Sequence, residues 1–150
     1  MDGTSLVIEP CTWEAYKDFV HLCSISVIPY HGGKCWKYTN LAGFIGYNYC
    51  FRNSPFWAEY FVELQGKSKK DQLLWANQNI RMLSRVMIVP EFRGRGLAKR
   101  LILETILLVG VPFVECMTAE ERISRLLVSC GFVEYIAVSG HRLGYYVYCV

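Results

Sequence analysis

Hydrophobic and polar positions change period several times along the chain, and each change marks an expected element. Leu6–Glu9 carries strand character and stops at Pro10. Thr12 stands where an N-cap would, and Tyr16, Phe19, Val20 and Cys23 then recur at helical spacing across Glu14–Cys23. Ser24–Lys37 holds Pro29, Gly32 and Gly33 without a clean period and is expected to be a loop, with Tyr30 and His31 inside it. Tyr38–Phe51 is aromatic and glycine-bearing and suits one or two strands, its glycines marking a bend or a close backbone approach. Asn53-Ser54-Pro55 breaks that run. Phe56–Leu64 fits either a short helix or a strand.

The second half is more regular. After the polar connection Gly66–Asp71, Ser68 or Asp71 opens a helix to about Asn77. Ile80–Val89 is an apolar strand that ends at Pro90. A turn containing Arg93-Gly94-Arg95-Gly96 follows, then an amphipathic helix from Leu97 to about Leu108. Gly110-Val111-Pro112 ends that helix. Phe113–Met117 is short and apolar except for Glu115, as a buried strand should be. Ala119–Cys130 places Ile123, Leu126, Leu127 and Cys130 on one side of a helix, with Gly131 as its C-terminal glycine. Phe132–Val138 and Leu143–Cys149, separated by Ser139-Gly140, form an expected final hairpin. This alternation predicts a mixed α/β sheet rather than a purely doubly wound one.

Composition narrows the class without naming a chemistry. A chain of 150 residues, 53% hydrophobic and 15% aromatic, is expected to form a single packed domain over 1–150. The net charge of +3 tolerates an anionic ligand or nucleic acid but demands neither. No apolar run approaches the length of a membrane span, and no secretory signal pattern opens the chain. The seven cysteines are scattered and contain no C-x-x-C pair, so neither a metal site nor a disulfide framework is expected. They suit a reduced, cytoplasmic protein in which several thiols serve as small core hydrophobes. A monomer and a homodimer both remain open.

The candidate chemistry concentrates in the turn before the Leu97 helix. Backbone N–H groups at a helix N-terminus attract an anion. Gly94 and Gly96 let a phosphate approach the backbone, and Arg93 and Arg95 bring forked donors. The turn is therefore expected to hold a phosphate or diphosphate. The chain contains no P-loop and no dinucleotide-binding glycine fingerprint.

Val89-Pro90-Glu91-Phe92-Arg93-Gly94, continuing into Arg-x-x-Gly-x-Ala over Arg93–Ala98 and set directly after a strand, resembles the coenzyme-binding motif of the GNAT superfamily of N-acetyltransferases. The resemblance covers about Ile80–Phe132 well and the first half only in outline. It implies a mixed, partly splayed β-sheet flanked by about four helices, and acetyl-CoA or another acyl-CoA as cofactor. It further implies that backbone groups of Val86, Met87, Ile88 and Val89 hold the pantetheine and polarise the thioester. Arg93, Gly94, Arg95, Gly96, Leu97 and Ala98 would hold the diphosphate. Where many members of the superfamily carry a proton-donating tyrosine, this chain has Leu127.

Acyl transfer to an amine also needs a proton acceptor. Glu115 is one candidate, since a lone carboxyl in an apolar strand has its pKa raised by desolvation. His31, beside Tyr30 in the loop, is another. Glu120 and Glu121 suit first-turn helix positions instead, and Tyr135, Tyr145 and Tyr146 suit packing. Asn79–Val86, Phe92-Arg93-Gly94, Gly110–Glu115 and Cys130-Gly131-Phe132 also resemble a branch of these domains fused to ATP-cassette proteins in microbes. The phage Mom-type DNA-modification proteins are similar in outline and share a loop that Tyr30-His31 echoes. Three functions follow as expectations. They are an acyl-CoA-dependent N-acyltransferase with an amine acceptor, an enzyme modifying adenine in DNA, and a non-catalytic acyl-CoA-binding module.

Overall fold

The computed structural model describes residues 6–23, 33–50, 54–135 and 144–150. Seven strands lie in one sheet: β1 (Ile8–Cys11), β2 (Cys35–Tyr38), β3 (Gly43–Asn48), β4 (Ile80–Ile88), β5 (Phe113–Thr118), β6 (Val133–Tyr135) and β7 (Gly144–Cys149). Their order is β1-β2-β3-β4-β5-β7-β6. The pairs β1–β2, β2–β3, β5–β7 and β6–β7 are antiparallel, while β4–β5 is parallel, so the sheet is mixed as expected. The β4–β5 ladder runs only from Ile80↔Phe113 to Met82↔Glu115, although β4 continues to Ile88.

Five α-helices are present among the described residues: α1 (Tyr16–Cys23), α2 (Trp57–Tyr60), α3 (Lys69–Asn79), α4 (Leu97–Thr105) and α5 (Glu121–Ser129). The one beyond the expected four is the single turn α2, in the segment whose pattern fits either a helix or a strand. Ser68, rather than Asp71, opens α3: its Oγ accepts from the Asp71 N–H at 3.2 Å. Thr12 precedes a 3-10 turn (Trp13–Ala15) but uses its carbonyl, not its hydroxyl, to accept from Ala15 N–H. The expectation of a loop through Lys37 is corrected, because Cys35–Tyr38 pairs on both sides as β2. The turn expected at Ser139-Gly140 lies outside the described residues, though the two strands it would join do pair.

The chain forms two compact units. The described residues up to Asn48, with Leu83–Val109, make the first; those of Tyr49–Met82 and Gly110–Val150 make the second. In the first unit, Trp13, Tyr16 and Phe19 pack on Phe44 through edge and tilted ring contacts at 5.5–5.6 Å. Cys35, Met87 and Val89 complete that cluster. Phe19 and Phe44 are fully buried, each such side chain contributing about 1.5–3 kcal/mol. Helix α4 is tied to the same unit by Tyr38 Oη donating to Leu97 O (3.0 Å) and by the buried Tyr47–Thr105 hydroxyl pair (2.8 Å). Gly46 is the close approach anticipated in this region, since a Cβ there would lie 2.4 Å from the Trp13 ring. The second unit has its own core of Phe56, Trp57, Phe61, Leu64, Ile80, Tyr145 and Val147, with the Phe56 and Tyr145 rings stacked at 4.8 Å. No helix among the described residues is long and apolar enough to cross a membrane.

Candidate functional site

In the first unit the chain leaves β4 through a rigid sequence of turns. Val89 N–H donates to Ala42 O at 2.9 Å, and Pro90–Phe92 form a 3-10 turn closed by Phe92 N–H to Val89 O at 2.9 Å. Proline suits the first position of that turn because its φ is already set and its missing N–H is not needed there. Gly94 (φ 79°) and Gly96 (φ 74°) then adopt the left-handed conformation that side chains disfavour. A Cβ added at either glycine would meet nothing within 4 Å, so the space in front of both is open.

Gly96 is the N-cap of α4 and supplies no capping side chain. The first helical bond runs from Arg100 N–H to Gly96 O (3.1 Å). The N–H groups of Leu97, Ala98 and Lys99 therefore have no acceptor within their own helix, and no acidic residue occupies its first turn. Arg93 Nε donates to Ile88 O at 2.8 Å, which pins the guanidinium beside the end of β4. The Arg95 guanidinium sits 5.5 Å from the Phe92 ring centroid. Left-handed glycines, helix donors without an acceptor in their own helix and two arginines together make an open, positively polarised turn suited to an anion with several oxygens.

The expected coenzyme residues Arg93 to Ala98 thus form one contiguous surface, although Leu97 contributes only backbone because its side chain is buried. Along β4, Met87 and Val89 are buried in the core of the first unit, whereas Val86 and Ile88 are half-buried. Three of the expected backbone groups are already engaged, Ile88 C=O by Arg93, Val89 N–H by Ala42 and Val89 C=O by Phe92. Arg100 looks outwardly similar to its neighbours but is committed elsewhere, to Leu6 O at 2.7 Å and Glu104 at 3.2 Å.

Glu115 belongs to the second unit. It is 2% exposed, and its carboxyl is surrounded by three donors: Tyr145 Oη at 2.5 Å, Trp57 Nε1 at 2.9 Å and Cys50 Sγ at 3.2 Å. Burial pushes its pKa above the ordinary carboxylate range, and the three hydrogen bonds oppose that rise without cancelling it. Burial, followed by the nearby Glu115 charge, raises the Tyr145 phenol, which keeps it a proton donor. Burial likewise raises the Cys50 thiol.

These partners were absent from the sequence expectations. Part of the signal existed, because a carboxyl in a buried strand requires donors. Alternation along β7 also puts Tyr145 on the face of Val147, the residue paired with Glu115. Trp57 lies 58 positions away and carried no local sign. Leu127 is buried in α5 as a packing side chain. Tyr30 and His31 lie outside the described residues. Among the described residues no group of three metal-ligating side chains is placed to hold an ion.

Neither a protein-family model nor a curated protein matches the sequence. Solved structures do match in three dimensions. NAA60 of Arabidopsis thaliana, in complex with acetyl-CoA, superposes with a TM-score of 0.61 at 17% identity over 97% of this chain and 100% of that one. Mutant forms of the spermidine/spermine N-acetyltransferase SpeG of Vibrio cholerae give 0.59 at 15% identity over 97% and 95%. A Bacillus subtilis acetyltransferase in complex with CoA gives 0.56 at 15% identity over 97% and 99%. The fold of this chain is that of the GNAT N-acetyltransferases.

Proposed function

We propose that the chain is an N-acyltransferase that takes an acyl group from acyl-coenzyme A and passes it to an amine. The observation that carries this reading is the open left-handed glycine turn at the N-terminus of α4, flanked by Arg93 and Arg95, in a fold shared with acetyltransferases crystallised with acetyl-CoA or CoA. A diphosphate fits the donor set, because the turn offers N–H groups and positive charge with no carboxylate in the first turn of α4. When bound, the coenzyme supplies an acyl thioester, which is activated toward an amine.

The chain's own residues then have distinct tasks. Gly94, Gly96, Leu97 and Ala98 present backbone donors to the diphosphate, and Arg93 and Arg95 offset its charge. Val86–Val89 align the pantetheine arm through those backbone groups that Arg93, Ala42 and Phe92 have not taken. Leu127 has no proton to give, so proton handling falls to other groups. Glu115, His31 and Tyr30 are the candidates; of these, Glu115 is enclosed by Tyr145, Trp57 and Cys50. The nearby folds act on amines by their names, and an amine is the acceptor we assign.

The test is release of free coenzyme thiol from acetyl-CoA in the presence of polyamines, peptide N-termini, amino acids or DNA oligonucleotides. Turnover on an amine, reduced at least about tenfold in His31→Ala or Glu115→Gln, supports the assignment. Turnover on DNA alone would replace the amine by a nucleic-acid base. Coenzyme binding with no thiol release on any acceptor would make the chain a binding module.

A further inference from the structure

Cys11 and Cys35 face each other across the β1–β2 ladder at the edge of the sheet, with their Sγ atoms 3.5 Å apart. Both are free thiols. The bond from Thr39 N–H to Val7 O (2.9 Å) fixes the alternation of this ladder. Pro10↔Trp36 falls at a non-hydrogen-bonded position, where a proline costs the ladder nothing. Cys11↔Cys35 falls at a hydrogen-bonded one, where Cα atoms stand about 5.5 Å apart, inside the range that a disulfide spans. Rotation of the two side chains, with a small approach of the two strands, brings the sulfurs together.

We propose that Cys11 and Cys35 are a redox modification site, closing to a reversible cross-strand disulfide when the protein meets a peroxide. The two thiols differ in the way such a pair requires. Cys11 is partly exposed and Cys35 is buried, so the oxidant reaches Cys11 and Cys35 reacts from within. Cys35 Sγ now donates to Cys11 O at 3.1 Å, and Cys11 Sγ in turn is placed to donate to Cys35 Sγ at 3.5 Å. The contact between the two sulfurs, opposed by burial, helped by the Lys37 charge and opposed by Glu9, holds the Cys11 thiol below the usual cysteine range. The same contact, with burial, raises Cys35. Lys37 and Glu9 are themselves a cross-strand pair, 3.9 Å apart.

The chemistry balances with one peroxide. The Cys11 thiolate attacks a peroxide oxygen, the O–O bond breaks, and the departing hydroxide takes a proton to become water, leaving Cys11 as a sulfenic acid. The Cys35 sulfur then attacks the Cys11 sulfur. The S–O bond breaks, and the second hydroxide takes the Cys35 proton to become water. Two thiols and one hydrogen peroxide become one disulfide and two waters, and a dithiol reductant reverses the change.

The product ties residues 24 positions apart, with α1 inside the loop. Constraining a loop of that size raises the melting temperature by about 7–14 °C in a chain of this length. This inference is independent of the acyltransferase assignment. Its test is to treat the full chain with graded hydrogen peroxide, block the remaining thiols with N-ethylmaleimide and map the product by mass spectrometry, with melting measured alongside. The expected result is two fewer blocked cysteines, a Cys11–Cys35 cross-linked peptide, the stated rise in melting temperature, and full reversal by dithiothreitol. In Cys35→Ser, the Cys11 sulfenic acid should accumulate and be trapped by dimedone. Seven blocked cysteines at doses that oxidise free cysteine, a cross-link elsewhere, or over-oxidation of Cys11 without a Cys11–Cys35 peptide would overturn the proposal. The wild-type map decides the matter even if the variant does not fold.

Discussion

Replacing Tyr145 by phenylalanine removes one oxygen from the middle of the second unit's core and leaves the ring in its stack with Phe56. The lost contact is the 2.5 Å hydrogen bond to Glu115, a bond to a buried carboxyl for which about 1.5–3 kcal/mol is expected. For a chain of this length that corresponds to a melting temperature lower by about 3–12 °C. The cost should also depend on pH, with a definite sign. The folded pKa of Glu115 is raised, so the folded state holds more protons than the unfolded chain above the ordinary glutamate range. Stability contributed by this site is therefore full at low pH and is lost as pH climbs through the folded value. Tyr145 is the first of the three hydrogen bonds opposing that rise, so its removal pushes the pKa higher and widens the window of loss.

Urea unfolding of wild type, Tyr145→Phe, Glu115→Gln and the double variant at pH 5 and pH 8 would measure both effects. Tyr145→Phe should cost more at pH 8 than at pH 5. In the Glu115→Gln background the tyrosine should lose most of its pH-dependent effect. A cost below about 0.5 kcal/mol that is equal at both pH values would refute the buried-carboxyl network.

Three further substitutions probe the fold that holds the candidate site. Gly46→Ala should destabilise the first unit by about 1–3 kcal/mol, because its Cβ would fall 2.4 Å from the Trp13 ring, and chemical denaturation would register it. Tyr47→Phe should cost about 1 kcal/mol by the same measurement, since the Thr105 hydroxyl keeps its bond to Leu101 O when it loses the tyrosine. Ser68→Ala should cost about 0.5–2 kcal/mol, seen as a lower melting temperature, by removing the side-chain acceptor at the start of α3.

Local chemistry was legible in the sequence, and tertiary pairing was not. Pro90, Gly94 and Gly96 act on their own backbone angles, so the strand, turn and helix around them could be read directly from their spacing. Ser68 and Asp71 together marked the start of α3 for the same reason, and the hydrogen bond to Asp71 N–H chooses Ser68. Strand β2 escaped because Cys35-Trp36-Lys37-Tyr38 follows a glycine pair and is ordered by its partners on either side, Ile8–Cys11 and Phe44–Gly46. Glu115 could be singled out as a lone carboxyl among apolar residues, but its donors could not, since Cys50, Trp57 and Tyr145 lie 65, 58 and 30 positions away. The same holds for Arg85, whose Nε reaches Tyr16 Oη (3.1 Å) across 69 positions. Leu127 shows the opposite case. That it carries no titratable group was plain in the sequence, and the structure buries it.

The central claim is that the turn from Arg93 to Ala98 binds the diphosphate of acyl-coenzyme A. Calorimetric titration of acetyl-CoA into the wild-type protein and into Gly96→Glu tests it most directly, because that position faces open space and the new carboxylate would stand where the anion belongs. The account predicts micromolar binding to the wild type, weakened at least about tenfold in a variant that still melts cooperatively. No binding to the wild type, or equal binding by a folded Gly96→Glu, would contradict it.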